Sequence, residues 1–320
     1  MPILLECLSH TPLHGYFDPA PEIVAEVERV QRKARARVEE FDPELVVAFA
    51  PDHYNGFFYD MMPQFCIGVA ATAIGDFNSL AGPLDVPQDI ALAMAENVLA
   101  NEVDVSVSYR MQVDHGCAQA LEVLTGGLDR YPVVPVFINS VASPMASCRR
   151  SRLLGDGIGR ILSRTDKRVL VIGSGGISHE PPVPDIAGAS AEVAERLIDG
   201  RNPSAEARAA RQARTVAAAK SFTAGDSHLH PLNSDWDRAF LNQLAAGEVT
   251  AADGMTNAAI TRDAGKSAHE IRTWIAAFGA LSAYGPYRAS LDYYRPIPEW
   301  IAGFGAMHAQ PDTQGDFHVQ

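Results

Sequence analysis

Four stretches of this chain read as apolar strands, and each runs into a histidine: ILLECLSH to His10, ELVVAFAPDH to His53, VSVSYRMQVDH to His115 and VLVIGSGGISH to His179. Few folds are open to a chain patterned in this way. In an open α/β sheet, ligands settle beyond the carboxyl ends of the strands, so side chains just past several strand ends converge on one crevice. Four imidazoles gathered there predict a metal, acid–base chemistry, or both.

The segments between these strands supply the helices. In PEIVAEVERVQRKARARVEE, Ile23, Val27, Val30, Ala34 and Val38 recur at helical spacing with charges on the opposite face. The order then repeats, with a strand over 45–50, a loop rich in glycine and aromatics, a helix near 88–101 and a strand over 103–109. A short strand PVVPVFIN, a helix near 147–163 and a strand over 168–173 follow. Alternating β and α elements predict an α/β fold with a mainly parallel sheet and helices on both of its faces. From about residue 187 the sequence turns Ala- and Arg-rich, as in PSAEARAARQARTVAAAK, and a strong helix is predicted from Ser267 to Ala283. No Pro/Gly/Ser linker separates this helical C-terminal half from the rest, so residues 1–320 read as one domain.

Composition narrows the function. A net charge of −13 excludes a nucleic-acid binder, which needs a basic face to displace counterions from phosphate. It also means that an anionic substrate requires local cations. No apolar run approaches the ~20 residues that span a bilayer, and the N-terminus lacks a signal-peptide pattern, so a cytoplasmic protein is expected. Cys7, Cys66, Cys117 and Cys148 are scattered without a C-x-x-C pair; Cys66 or Cys117 could act as a nucleophile, but buried small hydrophobe is the commoner role.

His10 in C-L-S-H-T-P and His53 in A-P-D-H-Y-N-G stand where strand gives way to loop. Two imidazoles and one carboxylate on a single face leave open positions on Fe(II). Glu270 is the carboxylate candidate, although Ser267 and Glu270 also form an S-x-x-E capping box at a helix start. Both roles are open, and neighbouring His269 is either a partner of that site or a solvated helix residue. His115 and His179 suit proton transfer better than coordination, with Asp114 either orienting His115 or exposed. VLVIGSGGISH fails the dinucleotide fingerprint, because Ser178 stands at the third glycine position. Gly173, Gly175 and Gly176 read instead as a tight turn that lets backbone pass close to the site. In YYRPIPEWIAGFG, Arg295 is a candidate partner for a substrate carboxylate, with Lys266 as the second choice; a structural tail is the competing role.

With CLSHTPL, FAPDHYNGFFYDMMP, QVDHG, GSGGISHEPPVP, GKSAHEIRTW and YYRPIPEWIAGFG in one order, the sequence closely resembles the class III extradiol catechol dioxygenases over nearly its whole length. The resemblance implies Fe(II) held at the positions of His10, His53 and Glu270, an acid–base pair at His115 and His179, a three-layer αβα fold with a central, mainly parallel or mixed sheet, a catechol and O2 as substrates, and a homo-oligomer. Within that pair we take His179 as the base and His115 as the acid, an order that neither the residues nor the resemblance decides. The residues by themselves leave two alternatives, a zinc-dependent hydrolase using the same ligands and a non-catalytic metal- or ligand-binding relative.

Overall fold

Strands β1 (Ile3–Leu8), β2 (Leu45–Ala50), β8 (Val133–Ile138) and β9 (Val169–Ser174) are buried at every position. This is the pattern of parallel strands covered on both faces. The computed structural model describes residues 2–312. The remaining strands are β3 (Phe65–Gly68), β4 (Ala71–Ile74), β5 (Ala81–Pro83), β6 (Ser106–Ser108), β7 (Met111–Val113), β10 (Tyr287–Ile297) and β11 (Ala302–Pro311). Eight of them form one mixed sheet in the order β10-β11-β1-β9-β2-β8-β3-β6. Its four central strands run parallel, while β3 and β11 pair antiparallel with β8 and β1. A second sheet, β5-β4-β7, stands apart.

The helices are α1 (Pro21–Phe41), α2 (Gln88–Ala100), α3 (His115–Thr125), α4 (Cys148–Leu162), α5 (Ala191–Asp199), α6 (Ala205–Thr223), α7 (Ser234–Ala245), α8 (Asn257–Ala264) and α9 (Ile271–Ser282). They cover the sheet from two sides, each with its own apolar core. On one side lie α1 and α3; Val27, Ala34 and Val38 of α1 are buried there, with Ile23 and Val30 packed at the margin. On the other lie α2, α4, α7 and α9. Helix α9 is buried from Ile271 to Leu281, as expected of a helix that is apolar nearly all round. Its close seat on α4 depends on Gly155, where an added Cβ would stand 1.9 Å from the carbonyl oxygen of Ala276.

Two expectations change. The stretch leading to His115 is not one strand: it breaks at Tyr109 and Arg110 between β6 in the main sheet and β7 in the small one. The C-terminal half is helical from α5 to α9, but it closes with an antiparallel hairpin, β10–β11, laid against β1. The aromatic segment YYRPIPEWIAGFG is therefore sheet edge and turn.

Candidate active site

Strands β1, β2 and β9 end on the same edge of the sheet, which brings His10, His53 and His179 together, and α3 presents His115 from its first residue. The ring centroids of His10 lie 5.6 Å from His53 and 5.5 Å from His115, and the His53 and His115 rings stack at 4.6 Å. Nitrogens of His10, His53 and His115 fall within 4.8 Å of one another. Beneath them, Glu270 is fully buried in a 3-10 turn at the head of α9. One of its carboxylate oxygens lies 3.0 Å from His53 Nε2 and 3.2 Å from His179 Nε2; the other lies 3.7 Å from His10 Nε2 and accepts the Gly176 N–H at 2.9 Å. The predicted capping box does not form. Ser267 makes no side-chain cap, so the Glu270 carboxylate is spent on the cluster.

The neighbours fix which imidazole nitrogen carries a proton. Ser174 at the end of β9 donates its hydroxyl to the Gly116 carbonyl, so its oxygen can only accept from His10 Nδ1, 3.0 Å away. His53 Nδ1 donates to Asp114 at 3.0 Å, and His179 Nδ1 faces the Ile177 carbonyl at 3.3 Å. In their neutral forms all three rings therefore turn an Nε2 lone pair toward a buried carboxylate. Facing lone pairs repel, and a cation among them removes the conflict. Burial pushes the His10 imidazole down to about 3, which keeps it a neutral ligand. Burial also disfavours charge on His53, but Asp114 and Glu270 together outweigh it and hold that imidazole well above its usual range. The same field would hold a metal ion. Glu270 is held well below the carboxylate range because His179, His10 and the hydrogen bonds of His179 and His53 outweigh the effect of burial. Two imidazoles and a carboxylate with fixed tautomers and open space above are a donor set that fits Fe(II).

Asp114 neither orients His115 nor lies exposed. It is fully buried, caps α3 through Gly116 N–H, and accepts the His53 backbone N–H, His53 Nδ1–H and Asn55 side chain on its other oxygen. The partner of His115 is Asp76, missed in the sequence, which accepts His115 N–H at 2.7 Å and contacts Nδ1 at 2.6 Å. His269 is neither solvated nor in the cluster. It is buried against Thr261, and burial pushes it down to about 3. The glycine turn behaves as expected: a Cβ on Gly175 would meet Glu270 at 2.8 Å, and one on Gly176 would meet the His179 ring at the same distance. Cys66 and Cys117 are buried thiols pushed up to about 12 by burial, unsuited to nucleophilic work.

A cavity of about 400 Å3 opens above the four histidines, walled by Pro181, Pro182 and Val183 on one side and by α6 on another. Neither Arg295 nor Lys266 lines it. Arg295 sits on β10 and pairs with Glu26 at 3.1 Å, and the Lys266 backbone donates to Glu180. The cations in the wall are Arg196, Arg208, Arg211 and Arg214. The signal of the last three was present in the sequence, as arginines three residues apart on one helix, α6, of an acidic chain; Arg196 comes from α5. A smaller cavity of about 280 Å3 adjoins it at His10.

A mixed α/β sheet that gathers four histidines and a buried carboxylate at its strand ends, beneath a cavity, is the arrangement of a metal-dependent enzyme. Residues 4–305 match the family described as the catalytic LigB subunit of aromatic ring-opening dioxygenase, and the chain belongs to that family of extradiol dioxygenases. The hydrolase and the non-catalytic alternatives give way to it. A protein of Cupriavidus pinatubonensis named 2,3-dihydroxyphenylpropionate/2,3-dihydroxicinnamic acid 1,2-dioxygenase is 78% identical over 311 residues, covering 97% of this chain and 99% of that one. A Pseudomonas putida protein of the same name, numbered 1, is 59% identical over 300 residues, 93% of this chain and 96% of its own. Among the described residues no helix is long and apolar enough to cross a membrane.

Proposed function

We propose that the chain cleaves 3-(2,3-dihydroxyphenyl)propionate, and 2,3-dihydroxycinnamate, between the diol and the substituted ring carbon. The reaction consumes O2, gives 2-hydroxy-6-oxonona-2,4-dienedioate from the first substrate, and serves the catabolism of phenylpropanoid aromatics. The names of the relatives support the substrates, and one observation carries the chemistry: His10 and His53 aim tautomer-fixed Nε2 atoms at Glu270 beneath an open cavity. These three residues would hold Fe(II). When bound, that ion supplies a Lewis-acidic, redox-active centre at which catechol and O2 meet.

The other groups move protons. His179 has its Nδ1–H turned to a backbone carbonyl, so Nε2, which lies 3.2 Å from Glu270, is the nitrogen that accepts a hydroxyl proton from the catechol. His115 lines the cavity and has Nδ1 held by Asp76, so Nε2 is the nitrogen that hands a proton on. His179 is thus the base and His115 the acid. Phe77 sits edge-on to His115 at 5.0 Å, and with the Pro181–Val183 wall it keeps bulk water off the ring. Residues 1–320 act as one extradiol unit. Four unpaired buried cysteines support a reducing, cytoplasmic setting, and the exposed Val107 and Tyr109 beside edge strand β6 support a homo-oligomer.

Anaerobic reconstitution with Fe(II), followed by admission of O2 with 3-(2,3-dihydroxyphenyl)propionate, tests this. Stoichiometric O2 uptake with a yellow product is expected with Fe(II) and not with Zn(II). Equal turnover with zinc, or none with either metal, refutes it.

A further inference from the structure

The cavity above the histidines is lopsided in charge. Four arginines line it, against a single carboxylate, Asp76, which is occupied by His115. In a chain of net charge −13, that concentration of positive charge is not a sampling of the surface. None of the four makes an ion pair with a carboxylate among the described residues, although Arg201 close by is paired with both Asp60 and Asp199. Arg211 donates to Asn55 Oδ1 at 3.1 Å and to the carbonyl of His53, so its charge rests on neutral oxygens beside a cluster histidine. Arg208 gives only Nε, to the Pro203 carbonyl at 3.3 Å, and its two terminal nitrogens have no partner among the described residues. Both are partly buried.

We propose that the arginine face of α6 is the site that selects substrates by an anionic side arm, with Arg208 making the direct contact to the carboxylate and Arg211 adding charge from behind. This rests on the dioxygenase reading above and adds the recognition element to it. The geometry favours this division of labour. Arg211 is tied to the His53 loop, which sets α6 at a fixed distance from the reacting ring. Arg208 lies three residues earlier on α6, about 4.5 Å along the axis, a displacement suited to a short alkyl or alkenyl arm. Across the slot, Pro181, Pro182 and Val183 offer a rigid apolar wall for the carbons of that arm. A guanidinium fork grips a carboxylate bidentately, which an ammonium cannot do. The neighbouring 280 Å3 cavity holds Glu122 and no arginine or lysine, so the arm turns toward α6 and not into that space.

The test is the ratio of kcat/KM for 3-(2,3-dihydroxyphenyl)propionate to that for 3-methylcatechol, in the Fe(II) enzyme and in Arg208→Leu and Arg208→Lys. Arg208→Leu keeps an apolar stem but loses the charge, and the ratio should fall about 10- to 100-fold, the worth of one hydrogen bond to a charged group. Arg208→Lys should recover part of it. Calorimetry with 3-phenylpropionate, which has the arm but no diol, reads the same contact without turnover and should show weaker binding in Arg208→Leu. An unchanged ratio with unchanged 3-phenylpropionate binding overturns the proposal, as does an equal loss on both catechols, which would mark Arg208 as structural. Wild-type protein that binds 3-phenylpropionate through Arg208 yet cleaves neither catechol would refute the ring-cleavage reading while leaving the anion site standing.

Discussion

Replacing Asp114 by Asn should loosen the metal more than it slows the chemistry. The carboxylate is fully buried and accepts four hydrogen bonds, three on one oxygen from His53 N–H, His53 Nδ1–H and the Asn55 amide, and one on the other from Gly116 N–H. Asparagine has a single acceptor oxygen. Turned toward His53, it leaves its own NH2 against the Gly116 N–H, and the cap on α3 is lost at a cost of about 1 kcal/mol. The bond to His53 Nδ1 survives but becomes neutral, giving up part of the ~1.5–3 kcal/mol that a charged acceptor contributes. His53 Nε2 becomes a poorer donor to metal, for which a 10- to 100-fold weaker affinity is the usual scale. Competition with a calibrated chelator under anaerobic conditions measures that affinity, urea unfolding of the apo-protein measures the cap, and single turnover at saturating Fe(II) isolates the chemistry. Affinity within twofold of wild type, with turnover falling instead, would show that Asp114 serves proton transfer and that its pairing with His53 is incidental.

Other consequences are as direct. Glu270→Gln keeps an oxygen for Gly176 N–H but removes the carboxylate that faces the Nε2 atoms of His10, His53 and His179, so iron content should collapse while the circular dichroism spectrum holds. Full iron loading would remove Glu270 from the ligand set. His115→Ala and His179→Ala should retain iron and lose turnover by about 10²–10⁴, with Asp76→Asn resembling the first in milder form; iron loss in either alanine variant would make that histidine a ligand. Gly155→Ala drives a methyl into the Ala276 carbonyl and should cost roughly 1–3 kcal/mol in thermal unfolding by parting α4 from α9. Burial outweighs Arg37 and lifts Glu6 from 4.5 to about 7. The folded state therefore holds that proton more tightly than the unfolded chain does. Its contribution is complete below pH 4.5 and is lost as pH rises through 7, up to roughly 3 kcal/mol. Glu6→Gln should flatten this slope in pH-dependent urea unfolding, and an unchanged slope would assign it to other groups.

What was legible in the sequence follows from which signals are local. A strand buried on both faces announces itself by composition, and the residue after it inherits a position in space, so His10, His53 and His179 were placed by their strands. The stretch before His115 misled because V-S-V-S-Y-R-M-Q-V alternates without a break, while the chain switches sheets at Tyr109 and Arg110. S-x-x-E spacing cannot distinguish a cap from a buried ligand; that depends on whether Ser267 reaches a backbone N–H, which it does not. Asp76 was invisible, since only the fold brings the loop after β4 against α3. Arg208 and Arg211 were visible as a spacing but were passed over for Arg295, whose Pro- and aromatic-rich surroundings look like a binding segment and build a sheet edge instead.

The last of the sheet's described strands, β11, lies beside the first, and its start is stitched to His179: Ala302 bridges that residue, and Gly303 N–H donates to the Ser178 carbonyl at 2.8 Å. On a ribosome, residues 302–311 emerge after everything else in the site. His179 therefore gains its bridge to Ala302 only after residue 302 has been made, and a long-range strand pairing of this kind is slow to form. A stop codon shortly before Ala302 would yield a protein that keeps His10, His53, His115, His179 and Glu270 but lacks the clasp that Ala302 and Gly303 place on the Ser178–His179 segment.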